Sequence, residues 1–325
     1  MSEIAGKPQS NGGRTLDTIK RVVKNESAVL VIILVVIIII TAFITRGKSV
    51  TPINVKNILL QVSTRGIASI GQMFVILTGG VDLSVGGLAT LCLVLAGTFT
   101  IGGNFPPMAI GAIMLAMLMV GLGIGGLNGL SVSRLAMPAL IVTLSVWRIT
   151  SGVSLHLTGT QAMIPVEAPV LEILSQTTPV VFAAVAVVAY IVLNHTRFGR
   201  SVYAVGGSPV SSWLSGIKVK NVILSVYLVS GFLAGLASVV ILARNMASSI
   251  QGVGSLELDT IAAVCIGGVS LSGGRGSLIG VVIGVFVLGV INNALNLVGV
   301  SVYTQEVVKG LIIIGAVAVD TMRRR

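Results

Sequence analysis

Charged residues are scarce in this sequence. Only 10% of its 325 residues are charged, whereas soluble proteins carry about 25%. The shortage extends along the whole chain, which excludes a soluble body held by one membrane anchor. Hydrophobic residues make up 54% and form continuous runs, unlike the alternating segments of a membrane β-barrel. The composition therefore predicts an all-α fold, a polytopic membrane helical bundle.

Cysteine and histidine are also scarce, with two residues of each. Cys92 and Cys265 lie inside apolar runs, where a thiol behaves as a small hydrophobic side chain. The stretch "RGKS" (46–49) ends like a phosphate-binding loop, but Ala42 stands where that motif needs its first glycine. We therefore expect no disulfide, no metal site, no catalytic residue and no cofactor on this chain.

Acidic residues are outnumbered, since 21 Lys and Arg stand against 10 Asp and Glu and give a net charge of +11. The basic residues cluster at the ends of apolar runs, where they bias a segment toward the cytoplasm. The three main clusters lie in the tail 1–27, the loop 195–220 and the tail 321–325. We therefore expect both termini and this loop in the cytoplasm, and no nucleic acid partner.

Ten apolar runs can cross or enter a membrane, given the roughly 20 residues that a spanning helix needs. They are 28–45, 57–79, 83–101, 107–130, 138–155, 178–194, 221–243, 257–271, 276–298 and 304–320. An even number agrees with two cytoplasmic termini and makes 28–320 one transmembrane domain. Basic residues between 46 and 56 then fall outside, but the three larger clusters outweigh them.

Polar groups at membrane depth indicate function, because they are costly there and usually face a cavity or a partner. Asp82 lies in a glycine-rich break, where it either caps a helix or contacts a substrate. Asn292 and Asn296 share a helical face and either bond another helix or line a polar path. Glu306 could pair with Lys309 three residues on. The other charged candidates are Arg65, Arg148, Arg244, Glu257 and Asp259.

The stretch "SPVSSWLSG" (208–216) predicts a helix too short to span the membrane. Ser208 can cap the free amides at its start, Pro209 suits its first position, and Gly216 is a typical stop. Its apolar residues are spaced to form one stripe: Val210, Trp213, Leu214 and Ile217. Such a stripe fits either the bilayer surface or a groove on a partner protein.

Two glycine-rich segments resemble each other, "GGVDLS" (79–84) and "GGVSLS" (267–272), with five of six positions identical. Each lies between two apolar runs, and the predicted topology places both on the same side of the membrane. They are either traces of a transporter repeat or two hairpins between closely packed helices.

Five long segments carry a family resemblance. They are "FVILTGGVDLSVGGL" (74–88), "MPALIVTL" (137–144), "TRFGRSVYAVGGSPVSSWLSGI" (196–217), "LELDTIAAVCIGGVSLSGGRGSLIG" (256–280) and "GVINNALNLVGVSVYTQEVVKGLIII" (289–314). Together they resemble the permease subunits of bacterial ABC importers for ribose, xylose, arabinose, galactose and autoinducer-2. The likeness covers most of residues 57–320 in collinear order.

The resemblance implies a permease of the bacterial inner membrane that moves a monosaccharide or related polyol by alternating access. Its expected partners are a second permease copy, identical or not, a periplasmic sugar-binding protein, and a cytoplasmic ATPase that holds ATP and Mg²⁺. It also implies that helix 208–216 docks on this ATPase. The Glu-Ala-Ala signature of such helices is replaced here by Val210, Ser211 and Ser212, which argues against an acidic contact.

Asp82, Asn292 and Asn296 are our candidates for residues near the sugar path. Two rival hypotheses stay open at this point. An ion-coupled secondary transporter would use Asp82, Glu257 or Asp259 as its coupling group. A non-transporting membrane scaffold subunit would use none of them.

Overall fold

The computed structural model describes residues 26–100, 107–158, 163–251 and 253–322, and within them the chain forms twelve α-helices and two short strands. The helices are α1 Glu26–Ile44, α2 Pro52–Leu77, α3 Ser84–Thr100, α4 Pro107–Ser133, α5 Ala139–Thr158, α6 Pro169–His195, α7 Arg197–Gly207, α8 Pro209–Leu214, α9 Val219–Asn245, α10 Leu256–Ile266, α11 Leu278–Leu297 and α12 Val302–Met322. The strands β1 Met163–Pro165 and β2 Ala247–Ser249 pair antiparallel, with Ile164 opposite Ser248.

Ten of these helices correspond to the ten predicted runs. Five of them, α4, α5, α6, α9 and α11, are long and apolar enough to cross a membrane by length and composition, and α1 and α3 are shorter apolar helices. The fold is therefore a polytopic membrane helical bundle, as predicted. The strand pair is a small departure from the all-α prediction.

The predicted start of the sixth apolar run is wrong. α6 begins at Pro169 rather than at 178, because Pro169 fits the first helical turn and the helix continues through Pro179. Residues 169–177, which precede the predicted run 178–194, are therefore helical. Most of the predicted tail 1–27 and the end of the tail 321–325 lie outside the described residues.

Close helix contacts through glycine build the centre of the bundle, where α4 packs against α9. A Cβ atom added at Gly121 would overlap the carbonyl oxygen of Gly231, and one at Gly125 would overlap that of Tyr227. Small residues let membrane helices approach this closely, so that van der Waals contact and buried polar groups hold them together.

Gly121→Ala is expected to destabilise the bundle by about 1–3 kcal/mol, because the new methyl group overpacks this contact. Gly123→Ala is the matched control, since a Cβ atom there meets nothing within 4 Å. Thermal unfolding of the purified variants in detergent measures the difference. Equal midpoints for the two variants would contradict the close packing.

The connections between spanning helices gather at two opposite ends of the bundle. At the α7 end, which holds the turns 78–83, 134–138 and 267–277 with α7 and α8, Gly274 N donates to Leu77 O over 2.9 Å. At the strand end, which holds β1, β2 and the turn after α1, Asn54 Nδ2 donates to Asn293 Oδ1 over 2.8 Å. Successive spanning helices thus alternate in direction, which puts the start of α1 and the end of α12 at the α7 end.

Candidate functional site

The short helix predicted at 208–216 is present as α8, Pro209–Leu214. Ser208 Oγ accepts from Ser211 N over 3.2 Å, and Pro209 occupies the first turn, as capping predicts. The helix has six residues rather than nine, because the chain leaves it at Ser215 and turns left-handed at Gly216, with φ +84°. Glycine adopts this conformation without steric cost.

The apolar stripe of α8 faces away from the bundle. Val210, Trp213 and Leu214 are 68%, 67% and 72% exposed, and Ile217 is half-buried. A groove of about 910 Å³ runs between α8 and the start of α9. The residues lining it are Arg134, Pro209, Val210, Trp213, Gly216, Ile217, Lys218, Val219, Lys220 and Asn221. α8 therefore presents an apolar surface with a basic rim and no partner among the described residues.

The helix before it, α7, was not predicted, since 195–220 was interpreted as a loop with one short helix. Thr196 caps α7 by accepting from Gly199 N over 3.1 Å, and Val202 and Val205 are buried. The signal was the Thr cap followed by apolar residues at helical spacing. The basic and glycine residues of "TRFGRSVYAVGG" concealed it.

The last turn of α7 is seated against the ends of spanning helices. A Cβ atom at Gly206 would overlap both Leu77 O, at the end of α2, and Gly274 N, in the turn before α11. Tyr203 Oη donates to Gly276 O over 3.0 Å. Burial raises the pKa of the Tyr203 phenol above its ordinary value, so the hydroxyl keeps the proton that it donates. α7 thus connects α8 rigidly to two spanning segments.

The two similar glycine-rich segments meet at this point, where a Cβ atom added at Gly79 would lie 3.4 Å from Ser272 O. This contact agrees with their predicted location on the same side of the membrane. A Cβ atom at Gly273 would come within 2.8 Å of Gly79 N, and both glycines have left-handed backbones, with φ +84° and +81°. α7 and the two turns therefore form a three-way contact, which we call the glycine junction: Leu77, Gly79, Gly206, Gly273 and Gly274.

Asp82 is 1% exposed and engages protein groups with both oxygens. Its Oδ1 accepts from Ser84 N over 3.0 Å and from Ser84 Oγ over 2.6 Å, and its Oδ2 accepts from Ser230 Oγ over 2.8 Å. Asn128 Nδ2 donates to Ser84 Oγ over 2.8 Å. The carboxylate caps α3 and ties it to α4 and α9. Its contact with a substrate stays a prediction.

Asn292 and Asn296 lie in different surroundings. Asn292 is buried, and its Nδ2 has no hydrogen-bond partner among the described residues. Asn296 is exposed near the strand end and accepts from Gln305 Nε2 over 2.8 Å. A role for either beside the path stays a prediction.

An ion cluster joins α2, α10 and α12 inside the bundle. Asp259 is 4% exposed and pairs with Arg65 Nε at 2.7 Å and with Lys309 Nζ at 3.1 Å. Lys309 also contacts Glu306 at 2.9 Å, which confirms the pair suggested by their spacing. The contacts to Asp259 were missed because they join residues far apart in sequence. Within the described ranges no group of His, Cys, Asp or Glu is placed to hold a metal ion.

Comparison with known proteins identifies the family. Residues 54–317 match the model of the family described as "Branched-chain amino acid transport system / permease component". The ribose import permease protein RbsC of Escherichia coli (strain K12) is 38% identical over 287 residues, covering 83% of this chain and 86% of the relative. RbsC of Bacillus subtilis (strain 168) is 36% identical over 277 residues, covering 83% and 85%.

The names of other relatives refer to other sugars. The galactose/methyl galactoside import permease protein MglC of Escherichia coli (strain K12) is 36% identical over 293 residues, covering 83% of this chain and 87% of the relative. No solved structure matches the chain. The apolar helices and these relatives make it a multi-pass inner-membrane protein. The chain therefore belongs to this family of transport permeases, among the sugar ABC importer permeases that its motifs resemble.

Proposed function

We propose that this chain is the permease subunit of an ATP-driven importer for a monosaccharide or related polyol. Two copies, identical or paired with a related chain, would form the membrane unit. A periplasmic binding protein would deliver the sugar at the strand end. The α7 end and both termini would face the cytoplasm, which agrees with the basic residues of the tails and of the segment 195–220.

The exposed stripe of α8 is the observation that carries this proposal. Three large apolar side chains, Val210, Trp213 and Leu214, project together from a six-residue helix outside the spanning bundle. Helix-in-groove docking uses anchors with this spacing. We propose that α8 seats in a groove of a cytoplasmic ATPase, which holds the ATP and Mg²⁺ that this chain does not bind. Val210 in place of an acidic residue makes the contact mainly apolar.

The glycine junction gives the docked helix a mechanical link to the membrane. When the ATPase pair closes on ATP, α8 and α7 would move as one piece, because a single residue, Ser208, separates them. α7 contacts the end of α2 at Leu77 and the turn between α10 and α11 at Gly274. Movement of α7 would therefore shift these spanning helices relative to the rest of the bundle. This shift would change the side of the membrane to which the sugar path opens.

Trp213→Asp is expected to leave the protein inserted and folded but to abolish ATP-driven uptake, because a buried charge without a partner opposes docking. Trp213→Phe, which keeps an aromatic anchor, is the matched control and should retain most of the uptake. Co-purification of the ATPase with each variant, together with uptake into proteoliposomes, measures the effect. Normal uptake by Trp213→Asp would show that α8 rests on lipid instead.

A further inference from the structure

Arg148 is a charged residue near the middle of α5, at a depth where a lipid-facing helix is ordinarily apolar. Nine residues of α5 precede it and ten follow, so at 1.5 Å per residue it is about 15 Å from either end of the helix. Its side chain is exposed, although the rest of α5 is almost free of charge. A charged side chain at the bilayer centre costs several kcal/mol unless it faces water or protein.

The contacts of Arg148 leave most of its hydrogen-bonding capacity open. The guanidinium stacks on the Trp147 ring, 4.6 Å from its centroid. It makes no ion pair or side-chain hydrogen bond with any residue that the structure describes. A guanidinium has five N–H donors, and the stacking contact uses none of them.

A second ionisable side chain lies at the same depth, across α3. Gly87 packs on α5, where an added Cβ atom would lie 2.9 Å from Trp147 O. At the adjacent Gly86, a Cβ atom would overlap the carboxylate of Glu257 at the start of α10. Glu257 Oε2 has no hydrogen-bond partner among the described residues. The exposed guanidinium of Arg148 and the buried carboxylate oxygen of Glu257 therefore flank one narrow part of α3.

The backbone around Glu257 is itself unusual for a membrane interior. α10 has only 11 residues, which is about 16 Å or half of the hydrocarbon thickness. The non-helical Val253 just before it shares a small cavity with Arg65, in the middle of α2. Irregular backbone at membrane depth is tolerated only where it is buried in protein or lines a water-filled cavity.

We propose that α5, α3 and the start of α10 form one wall of a water-filled sugar path, with Arg148 as its hydroxyl-binding group. This inference rests on the proposed transport function and gives it a location. A neutral sugar presents hydroxyl oxygens that accept hydrogen bonds, so it can bond to the free N–H donors of this guanidinium. The second permease copy closes the path from the other side. Asp82 lies behind this wall and supports it.

The outer face of α6 serves as a lipid-facing comparison for the face of α5 that carries Arg148. Val180 is 68% exposed near the middle of this helix, and the exposed residues that follow it on α6, Ala183, Ala184, Val187 and Val188, are apolar. Such a face suits lipid, where a thiol would be neither hydrated nor ionised. The two faces therefore predict opposite reactivity for cysteines placed at the same depth.

The test is labelling of Arg148→Cys and Val180→Cys with a charged, membrane-impermeant methanethiosulfonate, in the assembled importer. Cys92 and Cys265 are buried in the unmodified chain, whose labelling sets the background. We expect Arg148→Cys to react about tenfold faster than Val180→Cys, because only a hydrated thiolate is a nucleophile. Saturating D-ribose should slow that reaction. Equal rates for the two variants would overturn the proposal.

A second measurement tests the part of Arg148 in sugar uptake separately from its exposure to water. Arg148→Leu should lower D-ribose uptake by about tenfold through lost hydrogen bonds, with unchanged thermal stability, while Arg148→Lys retains more of it. Unchanged uptake by Arg148→Leu would contradict the role of the guanidinium. If the unmodified importer takes up no sugar with ATP, the transport proposal fails, whatever the labelling rates show.

Discussion

Gly206→Val is expected to abolish ATP-driven uptake while the spanning bundle stays inserted. A valine side chain cannot fit where even a Cβ atom would overlap Leu77 O and Gly274 N. Both obstacles are backbone atoms, so a rotamer change cannot relieve the clash. α7 would have to leave the glycine junction, and α8 would then no longer move with the spanning helices. Uptake of labelled D-ribose by proteoliposomes holding the whole importer measures the loss.

The adjacent residue supplies a matched control. A Cβ atom at Gly207 meets nothing within 4 Å, so Gly207→Val adds the same side chain in the same helical turn without the overlap. It should retain most of the uptake. Binding of the ATPase should survive in both variants, because α8 itself is unchanged. Equal uptake by the two variants would contradict coupling through the glycine junction.

Asp259→Asn is expected to cost the folded protein about 3–5 kcal/mol, as breaking a buried ion pair does when it leaves charges without a partner. Lys309 is 11% exposed and would keep Glu306 as its ion-pair partner and Ser255 Oγ as an acceptor, whereas Arg65 is 24% exposed and can be partly hydrated. Partial hydration places the expected loss toward the lower end of this range. Thermal unfolding in detergent would show a lowered midpoint.

A double variant separates charge imbalance from lost packing. Asp259→Asn combined with Lys309→Met removes one charge of each sign and keeps similar volumes. It should recover part of the stability lost by Asp259→Asn alone, because one uncompensated charge fewer stays buried. A double variant that is less stable by the sum of both single losses would show that no coupling exists.

The features that the sequence predicted well are determined by residues that lie close together in the chain. The caps of α8 follow from Ser208, Pro209 and Gly216 within nine positions, and local backbone chemistry determines such features. The spanning helices follow from runs of apolar residues. The contact between Asp259 and Arg65 joins residues 194 positions apart, and only the packed bundle brings them together.

The candidate residues beside the sugar path also depend on packing that the sequence does not reveal. Asp82, Asn292 and Asn296 were chosen because polar side chains are rare at membrane depth. The sequence alone cannot distinguish Asp82, enclosed by Ser84 and Ser230, from Arg148, which projects outward. That difference depends on which face of each helix its neighbours cover.

Uptake of labelled monosaccharides, with D-ribose and D-galactose among those assayed, into proteoliposomes tests the central claim most directly. The vesicles would contain this chain with its ATPase, and the binding protein would be added on the side of the strand end. The account predicts uptake that requires ATP and both partners, and that persists when sodium and proton gradients are collapsed. Uptake driven by an ion gradient with no ATPase present would contradict it.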